Sequence, residues 1–288
     1  MRYHETMRQP GATRCHGCAV RSSGFCSAFD AESLVEFSAH SSWKSYDRGT
    51  EIATQGEPSD RVGVIARGLV KVVMLTERGE EHLLQILRSG QLVGIPGSET
   101  SGFAVETATD ADICWMPRPI WERFLRERPQ HFRACLVTMT QQLEELQLSV
   151  VKMRGRSTLE RVALWLLQQL PQRSGEAAPV IRIELTRRDL ASLLDMTVET
   201  LCRSLRRLDE KGAIDLITPD CAEIVDLGTL RLLAGDDAVP PRPSSVSARP
   251  AEERQFWQDW SDRPAGNDHH AVAGSGPARK GRATPTTH

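Results

Sequence analysis

The apolar positions of this chain follow one spacing before about residue 118 and a different spacing after it. Between residues 43 and 118 they form short, partly alternating runs, such as residues 62–65 and 69–75, with glycines between them. Alternation interrupted by turn residues is typical of antiparallel strands. The pattern therefore predicts an antiparallel β domain over residues 31–128, built as a barrel or as a jelly-roll sandwich.

A long helix, about Pro129 to Met153, is predicted in the segment 129–155, because apolar residues there recur at steps of three and four. The apolar stripe is narrow and flanked by charged or amide side chains, which suits a seam between two copies of the helix. We therefore expect a homodimer, with packing on the chain's own β domain as the alternative. The stripe consists of Phe132, Leu136, Met139, Leu143, Leu146 and Val150.

A second domain is predicted over residues 156–235, which makes the chain α+β. Ser157 and Glu160 have the spacing of a capping box, in which each side chain accepts a hydrogen bond from the other residue's backbone at a helix start. Residues 236–288 are dominated by Pro, Ser, Ala, Gly and Arg. That composition predicts a disordered tail.

Within the second domain, the segment 185–212 divides into two short helices. Thr186 can cap the first helix, over residues 189–194, and Thr197 can cap the second, which ends at Gly212. A two-residue turn separates them, and residues 213–226 form a candidate wing. The pattern predicts a winged helix-turn-helix.

The second of these helices has two unlike faces. At 100° per residue its leucines fall on one side, and an acid and two arginines fall on the other. A carboxylate can accept from cytosine amino groups, and arginines can donate to guanine or neutralise phosphates. We predict DNA binding in preference to a merely solvated helix. The predicted contact residues are Glu199, Cys202, Arg203, Arg206, Arg187, Thr197 and Thr200.

Composition narrows the class of protein. The chain has 288 residues, 40% of them hydrophobic, which suffices for two ordinary domains. The formal net charge of -2 gives no support of its own to DNA binding, so local charge has to carry that prediction. No stretch approaches the ~20 apolar residues that span a bilayer, and no secretory signal is visible, so we expect a cytoplasmic protein without membrane contact.

Seven cysteines in such a chain are not expected to form disulfides. Cys15, Cys18 and Cys26 have the spacing C-x2-C-x7-C in a short polar segment, residues 1–30, and three thiolates from a loop can bind three irons of a cubane. The C-x2-C pair also serves zinc sites and thiol redox pairs, which stay open as alternatives. Cys135 is expected to be a small core residue, and Cys221 to belong to the wing.

These features resemble the CRP/FNR superfamily of bacterial transcription regulators, specifically its FNR branch, over about residues 15–233. The family's recognition helix carries a Glu-x-x-Ser-Arg motif, which Glu199 and Arg203 match while Cys202 stands in place of the serine. The cysteine spacing resembles that of a FixK-like and FnrN-like subset of oxygen-responsive regulators.

The resemblance implies a regulator rather than an enzyme, with double-stranded DNA, a second copy of the chain and RNA polymerase as partners. It implies a two-fold site resembling TTGAT, four bases, ATCAA, whose G·C pair Glu199 and Arg203 would read. Because a thiol is a poorer hydrogen-bond donor than a hydroxyl, Cys202 is expected to relax or alter the site preference.

The resemblance also implies that Cys15, Cys18, Cys26 and Cys114 bind a 4Fe-4S cluster. Cys114 lies near the end of the β domain, where FNR-like proteins place their last ligand. The intact cluster would favour the dimer through the long helix, and oxygen would dismantle the cluster and weaken the dimer. The chain would then control anaerobic or microaerobic genes.

Cyclic nucleotide binding, the function of the superfamily's other large branch, is not expected. That branch uses a Gly-Glu pair and a later arginine, whereas here Gly90 precedes Gln91 and no arginine follows up to residue 108. A buried cyclic phosphate needs such a cation, and Glu99 and Glu106 would repel it.

Overall fold

The computed structural model of the chain describes residues 15, 17–22, 24–94, 100–170 and 179–235. The predicted tail, residues 236–288, and the first 14 residues of the expected cysteine segment lie outside the described residues. Within the described ranges, no helix combines the length and the apolar character needed to cross a membrane.

The described residues of the cysteine segment form short helices where the sequence predicts a loop. Two 3₁₀ helices, Ala19–Ser22 and Phe25–Ala28, precede helix α1, Ala31–His40. Val20 and Phe25 are buried, and the backbone N–H of Phe25 donates to the carbonyl of Gly90 at 2.9 Å. The loop prediction was wrong because this segment packs its few apolar side chains into the neighbouring core.

Two four-stranded antiparallel sheets follow, in the orders β1-β8-β3-β6 and β2-β7-β4-β5. Inner residues of both sheets form one core, which includes Ile65, Ile113 and Trp115 from the first sheet and Val70 and Val105 from the second. The domain is thus jelly-roll-like and not a closed barrel. Its strands are β1 Ser42–Tyr46, β2 Glu51–Ala53, β3 Arg61–Arg67, β4 Val70–Leu75, β5 Glu81–Leu87, β6 Leu92–Val93, β7 Ala104–Thr107 and β8 Ala111–Pro117.

Helix α2, Arg118–Glu127, leads into the long helix α3, Pro129–Met153, whose ends lie where the periodicity predicts them. His131 fixes the start of α3, since its Nδ1 lies 2.8 Å from the carbonyl oxygen of Phe124 and its Nε2 lies 2.8 Å from Ser33 Oγ. The apolar stripe of α3 is left uncovered by the β domain. Its exposed members are Phe132, Leu136, Met139, Leu143 and Val150.

The second domain begins with α4, Thr158–Gln168, and the predicted capping box between Ser157 and Glu160 is present. The remaining helices are α5 Arg187–Leu193, α6 Val198–Glu210 and α7 Leu227–Ala234. Three antiparallel strands, β9 Val180–Arg182, β10 Ile214–Thr218 and β11 Cys221–Ile224, form a sheet in the order β10-β11-β9. The predicted wing is the hairpin of β10 and β11.

Candidate DNA interface and cysteine site

The two helices α5 and α6 are each started by a threonine cap. The hydroxyl oxygen of Thr186 accepts from the backbone N–H of Asp189 at 2.9 Å, and that of Thr197 accepts from the backbone N–H of Thr200 at 3.2 Å. Both predicted caps are confirmed. Helix α5 begins at Arg187, two residues earlier than predicted, because Asp189 occupies the third helical position that the cap bonds.

The turn between α5 and α6 depends on Asp195, the sole residue other than glycine with a positive φ, 51°, among the described residues. An aspartate tolerates this left-handed conformation better than most residues do. Arg161 of α4 holds the turn, since its Nη1 donates to the carbonyls of Leu194 and Asp195 at 3.1 and 3.0 Å. Sequence reasoning missed Arg161 because nothing local marks its partner 34 residues away.

Helix α6 separates its faces as predicted. Leu201, Leu205 and Leu208 are buried against the domain core. Glu199 and Arg203 are exposed on the other face, where Arg203 Nη2 donates to Glu199 Oε1 at 2.5 Å. A pair this exposed contributes little to stability. Both side chains can therefore leave this ion pair and contact a ligand instead.

The other predicted contact residues divide into two groups. Arg206 is exposed on the same helix, Cys202 is half-buried, and Thr197 and Thr200 lie at its N-terminus with their hydroxyl oxygens 2.9 Å apart. Arg187 is directed elsewhere, because its guanidinium donates to the carbonyl of Pro219 in the wing turn. The structure therefore gathers six of the seven residues on α6 and its cap.

The four cysteines nominated as ligands come from separate parts of the chain. Cys15 and Cys18 precede or border the first 3₁₀ helix, Cys26 lies within the second, and Cys114 lies in β8 opposite Val64 of β3. All four are half-buried. Cys18, Cys26 and Cys114 pack against the same apolar cluster, which contains Phe25, Phe37, Trp121 and Phe124.

Neighbouring cysteines affect the pKa of two of these thiols. Burial raises the pKa of Cys26, and the charges that Cys114, Cys18 and Cys15 would carry as thiolates raise it further. The pKa of Cys15 is also raised, first by burial and then by Cys18, with Arg21 opposing. Cys15 and Cys26 are thus favoured as thiols and would release protons on binding metal.

Four thiolates could in principle form either of two kinds of metal site, which differ in the spacing of the sulfurs. In the described part of the chain, no three His, Cys, Asp or Glu side chains stand so that they could hold a metal ion. A single zinc would need thiolate sulfurs about 3.8 Å apart, given Zn–S bonds of about 2.3 Å in a tetrahedron. A cubane binds each thiolate to a different iron and so spaces them more widely.

The apolar cluster beside these cysteines contains a buried indole N–H without a partner among the described residues. Trp121 Nε1 is buried without a hydrogen-bond partner among the described residues, and its ring lies 5.1 Å from that of Phe25, the neighbour of Cys26. Buried polar groups are rarely left unpaired. A sulfur-rich group held by these cysteines would bring acceptors to this region.

A separate cavity of about 430 Å³ is lined by residues of the β domain together with Met139 and Gln142 of α3. Its lining includes one arginine, Arg61, which precedes the segment 90–108 where the family's phosphate-binding arginine was expected. Its guanidinium lies over the ring of Trp115, 4.5 Å from the centroid, and the lining also carries the carboxylates of Glu51, Glu57 and Asp60. The excess of acidic groups disfavours a phosphate.

Comparison with known proteins covers both domains. Residues 43–128 match the cyclic nucleotide-binding domain, and residues 160–233 match the Crp-like helix-turn-helix domain. The chain is 26% identical over 214 residues to the nitrogen fixation regulation protein FixK of Bradyrhizobium diazoefficiens, covering 73% of this chain and 90% of that protein. It is 28% identical over 236 residues to the transcriptional activator protein FnrL of Cereibacter sphaeroides, covering 78% and 93%.

The solved structure of FixK2 from Bradyrhizobium japonicum has the same fold. It superposes with a TM-score of 0.61 at 22% identity, over 70% of this chain and 99% of that one. These relatives are transcription regulators and not enzymes.

Proposed function

The chain belongs to the CRP/FNR family of transcription regulators, and we propose that it is an oxygen-responsive member. It binds a two-fold DNA site as a homodimer while Cys15, Cys18, Cys26 and Cys114 hold a 4Fe-4S cluster. The observation that carries the proposal is the packing of Cys18 and Cys26, from the N-terminal segment, and Cys114, from β8, against one apolar cluster that also contains Ala134 and Cys135 of α3.

The cysteine segment contacts the dimer helix through aromatic packing. The 3₁₀ helix that carries Cys26 packs against α3, and the ring of Phe29 lies 5.1 Å from that of His131. His131 in turn stacks on Phe124 at 3.9 Å. When bound, the cluster supplies oxygen-labile bonds to four thiolates. Ligation by Cys26 would therefore hold the segment against the start of α3, and loss of ligation would loosen it.

The exposed stripe of α3 supplies the dimer interface. Phe132, Leu136 and Leu143 are each at least half exposed in the single chain, which is unusual for large apolar side chains aligned on one helix face. A two-fold site is read by two recognition helices about one turn of DNA apart. Pairing of α3 with its copy places two α6 helices for such a site.

Base reading falls to the exposed face of α6. Glu199 and Arg203 leave their mutual ion pair and contact the G·C pair of the half-site. The DNA backbone or neighbouring bases are contacted by Arg206, Thr197 and Thr200, and Cys202 lies beside them. RNA polymerase is the expected partner at activated promoters.

Purification without oxygen tests the cluster. The protein should show a brown iron–thiolate absorption that bleaches in air, with iron and sulfide in equal amounts. The Cys114→Ser variant should lose most of the iron, whereas Cys221→Ser, which alters a half-buried thiol of the wing, should keep it. A colourless protein with stoichiometric zinc would contradict the cluster and leave a constitutive or thiol-controlled DNA-binding protein.

A further inference from the structure

The DNA-binding domain packs directly on the β domain of the same chain. Leu69, Leu83 and Ile86 of the β domain belong to the same buried cluster as Leu190 and Leu194 of the helix-turn-helix. The face of α6 that carries Glu199 and Arg203 stays exposed in this arrangement. The docked orientation is therefore compatible with access to DNA.

A buried lysine lies at the centre of this interface. Lys71 of β4 is 7% exposed, and its Nζ lies 3.1 Å from Asp189 Oδ1 of α5. Within the β domain the same nitrogen lies 3.0 Å from Glu106 Oε1 on β7 and 3.8 Å from Glu81 Oε1 on β5. Asp189 is itself 8% exposed. One ammonium thus joins two carboxylates of the sheet to one of the helix-turn-helix.

The electrostatics favour a charged lysine. Burial by itself would lower the pKa of Lys71, but the bonds to Glu106 and Asp189 outweigh burial and leave the pKa raised. Buried ion pairs of this kind often contribute little net stability compared with apolar replacements, whereas their directional bonds restrict geometry. Orientation is therefore the property that this pair is suited to control.

Asp189 passes this restriction to the recognition helix. Its second oxygen, Oδ2, accepts from the hydroxyl of Thr186 at 2.6 Å, so the carboxylate that binds Lys71 of the sheet also bonds the cap of α5. The backbone N–H of Leu83 donates to Ser192 Oγ at 3.1 Å and fixes the other end of α5. Because α5 packs on α6 across a four-residue connection, the position of α5 sets that of α6.

We propose that Lys71 is a positioning residue for DNA binding: its ion pair with Asp189 sets the orientation of the recognition helix relative to the dimer. The pair thereby determines which separation of two half-sites the dimer accepts. This inference rests on the proposed binding of a two-fold site, but not on the cysteine cluster.

The test measures affinity for a set of duplexes in which the two half-sites are moved apart or together by one or two base pairs. The wild-type protein should prefer one separation. Lys71→Met and the isosteric Asp189→Asn should reduce that preference about fivefold or more, the range of a typical coupling between sites. Glu106→Gln removes a partner of Lys71 within the β domain only and serves as the matched control. Lys71→Arg should restore the preference.

A duplex with a single half-site separates positioning from folding. Base preference on this duplex should be unchanged in Lys71→Met and Asp189→Asn, because α6 itself is intact. Wild-type spacing preference in both variants would overturn the inference, as would an equal loss in Glu106→Gln. Failure of the wild-type protein to bind any two-fold duplex would instead overturn the proposed function, and the inference with it.

Discussion

The helix-turn-helix and the cysteine segment differ in how far each satisfies its own polar groups. In the helix-turn-helix, Thr186 and Thr197 cap their helices and Arg161 bonds the turn carbonyls. In and around the cysteine segment, Cys26 is a half-buried thiol with a raised pKa, and Trp121 of α2 has an unpaired N–H among the described residues. The helix-turn-helix also leaves one buried atom unpaired among the described residues, Nη1 of Arg187, but its caps and its turn are bonded within the domain, whereas the proposed function assigns a ligand to the cysteines. Regulation is therefore expected to enter through the cysteines.

The largest effect is expected from a change in the core of the helix-turn-helix. Leu201 is fully buried, so Leu201→Ala should lower the free energy of unfolding by about 2–5 kcal/mol, the usual result for deleting a buried leucine. Chemical denaturation measures the effect, with the exposed Val198→Ala as control. Iron content should be unchanged. Loss of iron from Leu201→Ala would show that the two regions do not fold independently.

A smaller effect is expected at the base-reading face. Arg203→Ala should reduce discrimination at the G·C pair of the half-site by about 1–3 kcal/mol, because a bidentate arginine contact to guanine is worth that much. Titration of duplexes with and without the G·C pair measures it. Arg207→Ala, at another exposed position of α6, should weaken binding to both duplexes equally. Equal losses for Arg203→Ala would remove Arg203 from base reading.

Removing the cap of α6 should have a moderate effect on stability. Thr197→Ala deletes the acceptor for the N–H of Thr200 and should cost about 1 kcal/mol, whereas Thr197→Ser keeps the acceptor and should cost less. The midpoints of thermal unfolding of the two variants measure this difference in stability. Identical midpoints for Ala and Ser would mean that the cap bond does not hold α6.

The smallest effect is expected from Cys202→Ser, which restores the serine of the family motif. A hydroxyl donates better than a thiol, so the variant should bind the TTGAT-type site slightly more tightly and discriminate better against single-base changes. Competition between site variants measures this. Weaker binding by the serine variant would show that the thiol itself is preferred at the half-buried position.

Local signals in the sequence account for what could be predicted. The helix Pro129–Met153, the box of Ser157 and Glu160 and the buried leucines of α6 all depend on residues within a few positions of each other. Spacing could not reveal that Lys71 meets Asp189, 118 positions away, or that Phe25 binds Gly90. Cys114 likewise packs on the same apolar cluster as Cys18 and Cys26 because of the sheet topology. Its nomination as a ligand came from the family resemblance and not from spacing.

The affinity of one anaerobically purified sample for a TTGAT-type duplex, measured before and after air is admitted, tests the oxygen-responsive function most directly. Before exposure we expect a dimer that binds the duplex tightly. After exposure we expect a monomer with lower affinity, and the loss of affinity should follow the loss of iron. Equal affinity and an unchanged dimer after complete loss of iron would contradict control of DNA binding by the cysteine site.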